Sequence, residues 1–209
     1  MSAHLRTILR QQRRRLSARQ RQQAGTAVVR HIRRCAEWQQ ARYIGLYLDD
    51  FGELPTRSLL QLAATTGKHV YLPVIRPLDR RLVFVQVQRG HWQQRRLTRH
   101  RWGMYEPKHQ RGRAVSQLDL LILPLVAFDQ HGRRLGMGGG FYDRTLAHAP
   151  HRPTRMGLAY DFQCVPHLHA HAWDQALDCA LTPTGLWRFY PVLPTPQHSQ
   201  NPPARHGLA

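Results

Sequence analysis

The sequence is poor in acidic residues and in lysine. Among its 209 residues, 31 are Lys or Arg and only 12 are Asp or Glu, which gives a formal net charge of +19. Lys68 and Lys108 are the only lysines, so the charge is almost entirely arginine, whose forked guanidinium suits phosphate and carboxylate. Charge alone leaves three interpretations open: arginines spread over solvated faces, a nucleic-acid-binding surface, or a site for a small polyanion such as a nucleotide.

Cysteines and long apolar runs are also scarce. Cys35, Cys164 and Cys179 have no close spacing, which excludes a disulfide framework or a zinc knuckle and favours a reducing compartment. The longest apolar run, residues 118–128, is interrupted and is about half the ~20 residues that a membrane-spanning helix needs. A hydrophobic fraction of 42% nevertheless excludes wholesale disorder and predicts one domain with a sizeable core.

The N-terminal segment is basic and has no acidic residues. Its first 36 residues contain no Asp or Glu, and ten arginines fall between Arg6 and Arg34. This composition is typical of a mitochondrial transit peptide, whereas apolar residues at near-helical spacing favour helices that dock on a fold. We predict a basic amphipathic helix over residues 3–23 and a second helix over 26–38. No secretory signal pattern is present, and with the cysteine usage this predicts a cytoplasmic protein.

Apolar runs that indicate strands alternate with helical patterns through the rest of the chain. Strands are predicted over residues 43–48, 69–72, 82–87, 120–123, 156–160 and 179–181, and helices over 55–66, with Pro55 in the first turn, and 141–149. This alternation predicts an α/β fold with a mostly parallel sheet. Residues 89–112 are predicted to form an irregular basic surface loop, and residues 191–209 a disordered tail beyond a domain at 1–190.

A glycine-rich segment carries the clearest chemistry. Four glycines lie at positions 136, 138, 139 and 140, after Arg133 and Arg134 and before a predicted helix start. Such glycines let backbone N–H groups approach an anion, and Arg134 can add a forked contact to a terminal phosphate. Phe141 stands where a Rossmann fingerprint needs glycine, and the Gly-Lys-Ser/Thr of a P-loop is absent. The residues therefore predict a phosphate-binding loop, with a tight strand–helix turn as the alternative.

The string AFDQHGRRLGMGGGFYDR strongly resembles the nucleotide loop of the 5-formyltetrahydrofolate cyclo-ligase family, also called 5,10-methenyltetrahydrofolate synthetases. The resemblance extends over most of the chain. Arg6–Ser17 resembles the family's N-terminal basic helix, and YIGLYLDDFGELPT resembles its first strand and the acidic turn that follows. GKHVYLPV, GLAYDFQCV and WDQALDCALTPTG resemble further strands.

The resemblance implies a single three-layer α/β/α domain and an ATP-dependent ligase. The implied reaction converts 5-formyltetrahydrofolate and ATP into 5,10-methenyltetrahydrofolate, ADP and phosphate. In that reaction the formyl oxygen is phosphorylated, N10 attacks the activated carbon, and phosphate leaves. The implied partners are small molecules and not membranes or nucleic acid.

The resemblance also implies roles for single residues. Arg134 and Tyr142 are the implied catalytic residues, with Arg134 stabilising charge on the γ-phosphoryl group. The residues implied to bind ATP are Arg6, Arg134, Leu135, Gly136, Met137, Gly138, Gly139, Gly140, Phe141 and Tyr142. Those implied to bind the folate are Leu48, Glu53, Met137, Gly138, Gly139, Gly140 and Phe141. The carboxylates of Asp143 and Asp178 are implied ligands of Mg²⁺, a hard ion that prefers such oxygens.

Two positions depart from the family pattern. Ser2 stands where some members carry a lysine of the ATP site, which either weakens that contribution or shifts it to a cation such as Arg10. Gly139 stands where some members also have lysine, and Arg133 or Arg144 is expected to compensate. As alternatives, Asp143 and Glu53 are helix-start acids favoured by the helix dipole and Asp178 is a strand-end turn residue.

The remaining basic and histidine-rich segments have competing interpretations. His167, His169 and His171 would bind a transition metal if they shared one face of a strand, but the preceding proline favours a surface loop. The loop at 89–113 either contacts the glutamate tail of a folate or is solvated. At the level of function, the alternatives are a nucleic-acid-binding protein that uses its arginine-rich helix, and a family member that binds folates without catalysis.

Overall fold

The computed structural model describes residues 2–88, 97–99, 105–108 and 111–189. The helices of this part of the chain are α1 (Ser2–Arg15), α2 (Ala18–Ile32), α3 (Ala36–Gln40), α4 (Arg57–Thr65) and α5 (Phe141–Leu146). Its strands are β1 (Tyr43–Gly45), β2 (His69–Ile75), β3 (Leu82–Val87), β4 (Leu97–Arg99), β5 (Tyr105–Pro107), β6 (Leu120–Pro124), β7 (Ala127–Asp129), β8 (Arg134–Leu135), β9 (Thr154–Leu158), β10 (Cys164–Val165), β11 (Cys179–Thr182) and β12 (Gly185–Arg188). Short 3₁₀ turns occupy Val115–Gln117 and Asp161–Gln163.

A seven-stranded sheet in the order β12-β11-β9-β6-β1-β2-β3 forms the centre of the fold. The five inner strands are parallel, and β12 and β3 pair antiparallel at the two edges. Ile44 of β1 lies between Val70 of β2 and Leu120 of β6. The chain passes from β1 to β2 on one side, and β6, β9 and β11 then extend the sheet on the other. This reversal of strand order creates a crevice at the carboxyl ends of β1 and β6, where open α/β sheets bind ligands.

Both faces of the sheet are buried, as the apolar run of β6 requires. Leu120 and Ile122 pack with α2 and α4 on one face, and Leu121 and Leu123 pack with α5 and the first 3₁₀ turn on the other. This arrangement fits parallel strands, which are covered on both faces and are therefore apolar throughout. The predicted α/β fold with a mostly parallel sheet flanked by helices is confirmed.

A small second sheet carries the glycine loop. The β7–β8 hairpin is antiparallel, and β10 joins it in parallel to give the order β10-β7-β8. The fully buried Asp129 holds the hairpin turn, because its Oδ1 accepts the N–H groups of His131 and Arg133 at 2.9 and 3.0 Å. The chain leaves β8 directly into residues 136–140, so this hairpin sets the position of the loop.

The N-terminal helices divide at a different place from the one predicted. The helix expected over residues 3–23 ends at Arg15, and Gly25 lies inside α2 instead of before it. Ser17 causes the division, because its side chain accepts the Gln20 N–H while the Gln20 side chain accepts the Ser17 N–H. Gly25 is buried beside Pro55 within the helix. The helix predicted over 26–38 is therefore split between α2 and α3.

Three further boundaries differ from the prediction. Strand β1 ends at Gly45 because the chain turns away after the Leu46 N–H bonds the carbonyl of Tyr71. Helix α4 begins after Thr56, whose N–H and hydroxyl both bond Asp49 and so lie outside the helix. Helix α5 ends at Leu146 instead of residue 149, and the chain then tightens into turns in which the N–H groups of His148 and Ala149 bond the carbonyls of Thr145 and Leu146.

The predicted irregular loop at 89–112 is wrong where the structure describes it. Strands β4 and β5 form an antiparallel pair there, with Leu97 opposite Pro107. A carboxylate oxygen of Glu106 accepts the Ile75 N–H at 3.4 Å and ties the pair to β2. These strands are only three residues long, so they show no alternating pattern in the sequence. Residues 89–96, 100–104 and 109–110 of that segment lie outside the described residues, and so does the tail predicted at 191–209.

The N-terminal segment is part of the fold. Leu9 of α1 and Val28 and Ile32 of α2 are buried, so these helices dock on the domain as their spacing predicts. No helix within the described ranges is long and apolar enough to cross a membrane.

Candidate functional site

The carboxyl ends of the parallel strands bring three chain segments together at the strand-order reversal. Tyr47 to Glu53 follow β1, Leu125 follows β6, and Tyr160 follows β9. A side-chain nitrogen of Arg13 in α1 donates to the Leu125 carbonyl at 3.2 Å, and the Tyr160 hydroxyl donates to the Glu53 carbonyl at 3.3 Å. The basic helix α1 therefore closes this crevice from one side.

The acidic turn after β1 directs Glu53 into the crevice. Asp49 anchors the turn by accepting two hydrogen bonds from Thr56, each of 2.8 Å. Gly52 has a φ of +77°, and a Cβ on it would lie 3.1 Å from the Arg13 carbonyl oxygen, so only glycine allows this close approach to α1. A carboxylate oxygen of Glu53 then accepts the Asp50 N–H at 3.2 Å. Each residue of this turn thus has a local reason for its type.

Glu53 forms a buried ion pair with Arg13. The Nη1 of Arg13 lies 3.7 Å from a carboxylate oxygen of Glu53, and their side chains are 1% and 11% exposed. Burial raises the pKa of Glu53 to about 7, and the positive charge of Arg13 opposes that rise. Glu53 therefore changes charge near neutral pH, which is unusual for a carboxyl group.

The glycine loop forms the second half of the site. Gly138 and Gly140 have φ values of +99° and +64°, which side chains rarely adopt. The Nε of Arg6 donates to the Gly136 carbonyl at 2.9 Å, so α1 reaches this loop as well as Glu53. A guanidinium nitrogen of Arg144 donates to the Gly139 carbonyl at 2.6 Å. Two arginines thus hold loop carbonyls on one side of this turn.

Arg134 and Asp143 form the closest ion pair at the loop. Their side chains meet at 2.5 Å and are 4% and 20% exposed. The same oxygen of Asp143 accepts the Gln175 N–H at 3.1 Å. The Nε of Arg134 is buried without a hydrogen-bond partner in the described part of the chain. Arg134 therefore retains a buried donor beside the loop.

Two tyrosines connect the halves of the site. Burial raises the pKa of Tyr142, the charge of Glu53 raises it further, and the charge of Arg134 lowers it. Burial likewise raises the pKa of Tyr47, with Glu53 and Asp49 adding to the effect. Both hydroxyls are therefore protonated donors at neutral pH. The charges of Glu53 and Arg134 both act on the Tyr142 hydroxyl, so it lies near both ion pairs.

Buried polar atoms without partners concentrate in this region. Within the described residues, the buried side-chain nitrogen and oxygen atoms that lack a partner are Arg10 Nε, Arg13 Nε, Arg13 Nη2, Tyr47 Oη and Arg134 Nε. A buried donor without a partner costs about 1–3 kcal/mol, and folded proteins keep few of them. Their concentration around one crevice indicates that a polar ligand completes the site.

The structure brings most of the predicted site residues together. Arg6, the glycine loop, Arg134 and Asp143 form one cluster, and Glu53 is joined to the same helix as Arg6 through Arg13. The charges of Glu53 and Arg134 both act on Tyr142. Leu48 is half-buried and packs against the core that borders the Glu53 turn. Met137 is 45% exposed at the loop tip.

Asp178 lies elsewhere on the sheet. It precedes β11, at the amino end of the parallel strands, and its side chain accepts the Arg155 N–H at 2.7 Å. Asp178 comes three residues after Gln175, whose N–H bonds Asp143. Among the residues described, no hydrogen bond or ion pair joins Asp178 to the glycine loop. Its assignment as a metal ligand stays a prediction.

One carboxylate beside the glycine loop suits a magnesium ion. Over the described ranges, no three His, Cys, Asp or Glu side chains form a cluster that would hold a metal by protein ligands alone. Mg²⁺ usually takes only one or two protein carboxylates and completes its shell with waters and substrate phosphates. Asp143 lies beside the glycine loop and suits this way of binding the ion. Its carboxylate would then be shared between the ion and Arg134.

One departure from the family pattern, Gly139, has a structural explanation, whereas nothing in the structure explains Ser2. A Cβ on Gly139 would lie 2.6 Å from the Phe141 ring, so a lysine there requires that ring to move. Arg144 contacts the loop, whereas Arg133 turns away to the Leu168 carbonyl and His167. Of the two compensating cations proposed from the sequence, Arg144 is therefore the one at the loop.

The histidine run lies on an exposed loop. His167 contacts Arg133, and His171 pairs with Asp174 at 3.3 Å. His169 is also exposed and stands edge-on to the His167 ring. The surface-loop interpretation fits this arrangement, since these side chains engage separate partners.

Sequence reasoning missed Arg13, Tyr47 and Gln175. Arg13 had a usable signal, because Arg6, Arg10 and Arg13 are spaced i, i+4 and i+7 and therefore share one face of a helix. Tyr47 reads as an ordinary strand residue within an apolar run. Gln175 contributes only its backbone N–H, which no sequence pattern shows.

A crevice at a strand-order reversal that is bordered by a glycine loop, buried arginines and a buried carboxylate is typical of the ligand-binding sites of α/β enzymes. The family model of the 5-formyltetrahydrofolate cyclo-ligase family matches residues 1–183, and the chain belongs to this family of ligases.

Curated relatives support the same conclusion. The chain is 38% identical over 186 residues to 5-formyltetrahydrofolate cyclo-ligase of Escherichia coli K12, which covers 87% of this chain and 100% of that protein. It is 39% identical over 177 residues to the enzyme of Haemophilus influenzae, with 83% and 92% covered. The predicted family and ligase class are therefore confirmed.

Solved structures share the fold. A 5,10-methenyltetrahydrofolate synthetase from Aquifex aeolicus superimposes with a TM-score of 0.77 at 25% identity, covering 96% of this chain and 98% of that one. A synthetase from Mycoplasma pneumoniae has a TM-score of 0.67 at 21% identity and covers 87% of this chain and 98% of that one. The second likeness supports the fold alone.

Proposed function

We propose that this chain cyclises 5-formyltetrahydrofolate to 5,10-methenyltetrahydrofolate and converts one ATP to ADP and phosphate. Family membership supports the cyclo-ligase class. The two-part crevice supports the pairing of a polyanion with a polar ring. We place the reaction in the cytoplasm, in keeping with three free thiols.

The observation that carries this proposal is that helix α1 contacts both halves of the crevice, because Arg6 donates to the Gly136 carbonyl of the loop and Arg13 pairs with Glu53. These contacts support one continuous site that borders both the glycine loop and the buried carboxylate. Two reactants held in such a site react as if in one molecule, which removes much of the entropic barrier. A ligase that joins a phosphoryl donor to a folate needs this continuity.

This chemistry requires the protein mainly to position the two reactants and to stabilise the charge that develops between them. A formamide carbon is a poor electrophile and its oxygen a poor leaving group. Attack of the formyl oxygen on the γ-phosphorus, with departure of ADP, solves both problems. N10 then attacks the activated carbon, the C–O bond breaks, and phosphate leaves with the former formyl oxygen.

The loop half is proposed to hold ATP. Backbone N–H groups of Leu135–Tyr142 would surround the phosphates, and Arg6 would bind from α1. Arg134 would stabilise charge on the γ-phosphoryl group during transfer, for which its buried Nε is a suitable donor. Mg²⁺ would neutralise phosphate charge, with Asp143 as its protein ligand and Asp178 as the further candidate.

The other half is proposed to hold the folate. The ionised Glu53 would accept N–H groups of the pterin ring, and Leu48 would pack on the ring edge. Residues Met137–Phe141 would form the boundary between folate and ATP. The buried Tyr142 hydroxyl, protonated at neutral pH, would donate to the oxygen that moves between the two reactants.

Nucleic acid is not a proposed partner. Arg6 and Arg13 of the basic helix bond carbonyls inside the fold, and Arg10 Nε is buried. A helix that binds phosphates of nucleic acid presents such side chains outward instead. Three of the five arginines of α1 therefore engage the fold, whereas Arg14 and Arg15 are exposed.

A direct test mixes the purified protein with 5-formyltetrahydrofolate and Mg²⁺ and follows the methenyl chromophore. Product is expected only when ATP is present, with one phosphate released for each product formed. Saturable folate binding without ATP-dependent product would instead favour a binding protein that lacks catalysis. Salt-sensitive RNA or DNA binding without ATP turnover would favour the nucleic-acid alternative.

A further inference from the structure

We propose that Arg13 is a positioning residue for folate recognition, because its guanidinium keeps the Glu53 carboxylate ionised and directed into the crevice. The inference rests on the proposed function for the identity of the ligand. It assigns to Arg13 a role distinct from that of Arg6 on the same helix, which contacts the glycine loop.

The geometry places the Arg13 guanidinium against the Glu53 carboxylate. The Arg13 side chain is 1% exposed and that of Glu53 is 11% exposed, so the two charges interact with little screening by solvent. Arg13 is itself fixed, since Nη1 donates to the Leu125 carbonyl at the end of β6 at 3.2 Å. The 3.7 Å approach of the same atom to Glu53 therefore ties the carboxylate to the central sheet.

The charges around Glu53 make the cation necessary. Burial raises the pKa of Glu53, the carboxylates of Asp49 and Asp50 raise it further, and Arg13 lowers it. The other titratable groups near Glu53 are the hydroxyls of Tyr47, Tyr142 and Tyr160. An opposite charge within about 4–6 Å lowers a carboxyl pKa by roughly 1–3 units, so removal of Arg13 would neutralise Glu53 at neutral pH.

The protonation state of Glu53 matters for the ligand. An ionised carboxylate only accepts hydrogen bonds, whereas a protonated carboxyl donates one. The pterin edge of a folate presents adjacent N–H donors, and a neutral Glu53 would oppose one of them. Arg13 would thus act on folate affinity without touching the folate.

The incomplete hydrogen bonding of Arg13 fits an electrostatic role. A guanidinium has five N–H donors, and one that serves packing alone is normally bonded throughout. Arg13 uses Nη1, whereas Nε and Nη2 have no partner in the described part of the chain. The position of the Arg13 guanidinium is therefore set by the two groups that Nη1 contacts, the Leu125 carbonyl and the Glu53 carboxylate.

The test compares Arg13→Gln with Arg13→Lys. Gln keeps a donor for Leu125 and loses the charge, whereas Lys keeps the charge and loses the fork. Arg15→Gln is the matched control, because Arg15 is exposed on the same helix. The dissociation constant for 5-formyltetrahydrofolate is measured by calorimetry without ATP from pH 6 to 9. A non-hydrolysable ATP analogue is titrated separately.

For the wild type, folate affinity should rise with pH with a midpoint near pH 7. In Arg13→Gln the midpoint should move upward by about one pH unit or more, which weakens folate binding at pH 7 about fivefold or more. Arg13→Lys should have a midpoint close to that of the wild type, and Arg15→Gln should have the same midpoint as the wild type. The affinity for the ATP analogue should change less than twofold in all three variants.

Two results would overturn the inference: an unchanged midpoint in Arg13→Gln, or equal losses of folate and nucleotide affinity. If Arg13→Gln does not fold, the double variant with Glu53→Gln removes both charges and is compared with Glu53→Gln alone. Equal folate affinities support action through Glu53, and a further loss contradicts it. Absence of methenyl product from wild type would reject the proposed function, whereas turnover without the midpoint shift rejects only the role of Arg13.

Discussion

Two arginine–carboxylate pairs, one in each half of the crevice, set the charges that the reactants would meet. Arg13 and Glu53 lie 3.7 Å apart, while Arg134 and Asp143 lie 2.5 Å apart. Both arginines are almost fully buried, so their charges are less screened by solvent than those of surface arginines. Single substitutions in either pair should therefore affect one reactant more than the other.

Replacement of Arg134 by alanine should lower turnover about 10²-fold or more, since a preorganised donor to transferring charge would be lost. The measurement is the rate of methenyl formation at saturating ATP. Arg133→Ala is the control, because Arg133 faces Leu168 and His167. Near-normal turnover in Arg134→Ala would show that its proposed role is wrong.

Folate binding should depend on pH through Glu53. Its pKa is raised to about 7, so the carboxylate is ionised above that pH and neutral below it. Affinity measured without ATP should accordingly increase about tenfold between pH 6 and pH 8, as the ionised fraction rises. Glu53→Gln should bind folate more weakly and show no such increase. A wild-type affinity that is constant over this range would contradict the assignment.

At the scale of elements, α1 serves both halves of the site. Arg6 contacts the loop carbonyl of Gly136, and Arg13, about two turns further along, contacts Glu53. The helix thus fixes the spacing between the anion-binding loop and the carboxylate. Its apolar contacts, such as buried Leu9, hold it on the domain.

Arg6→Ala should raise the KM for ATP by about tenfold or more and leave folate affinity without nucleotide unchanged. A hydrogen bond to a charged group contributes about 1.5–3 kcal/mol, which corresponds to this range. Arg15→Ala, about two and a half turns further along on the opposite face of α1, is the control. Equal effects of the two substitutions would indicate a general loss of positive charge instead.

The glycine loop should tolerate a methyl group at one position and not at another. Gly138 has a φ of +99°, whereas Gly136 lies outside the positive-φ region and has open space beyond Arg134 at 3.7 Å. Strained backbone costs about 1–3 kcal/mol, so Gly138→Ala should weaken nucleotide affinity about fivefold or more. Gly136→Ala should change it by less than twofold. Similar losses in both variants would mean that loop conformation does not determine nucleotide binding.

The elements were predictable where local chemistry fixes them. The apolar runs predicted β2, β3 and β6, and the glycine string predicted the loop before α5. The capping box of Ser17 and Gln20 was also present in the sequence, but Gly25 suggested a different boundary. The short β4–β5 pair and the length of β1 depend on partners distant in sequence, which local patterns do not reveal.

At the scale of the whole molecule, the sheet topology explains where the site lies. The order of strands reverses beside β1, and the chain places Glu53 after β1 and Leu125 after β6 at that reversal. Arg13, which precedes Leu125 by 112 residues in the sequence, contacts both of these segments. The sequence suggested the glycine loop and Glu53 separately through the family resemblance, but their junction at Tyr142 and the Arg13–Glu53 pair arise only from packing.

The proposed function requires that the formyl oxygen of the folate meets the γ-phosphoryl group of ATP within one crevice. This requirement can be measured with 5-formyltetrahydrofolate labelled with ¹⁸O in the formyl group, by determining the isotope in the released phosphate by mass spectrometry. We expect one ¹⁸O atom in each phosphate formed in a single turnover with the purified protein. Unlabelled phosphate, released together with the methenyl product, would contradict it.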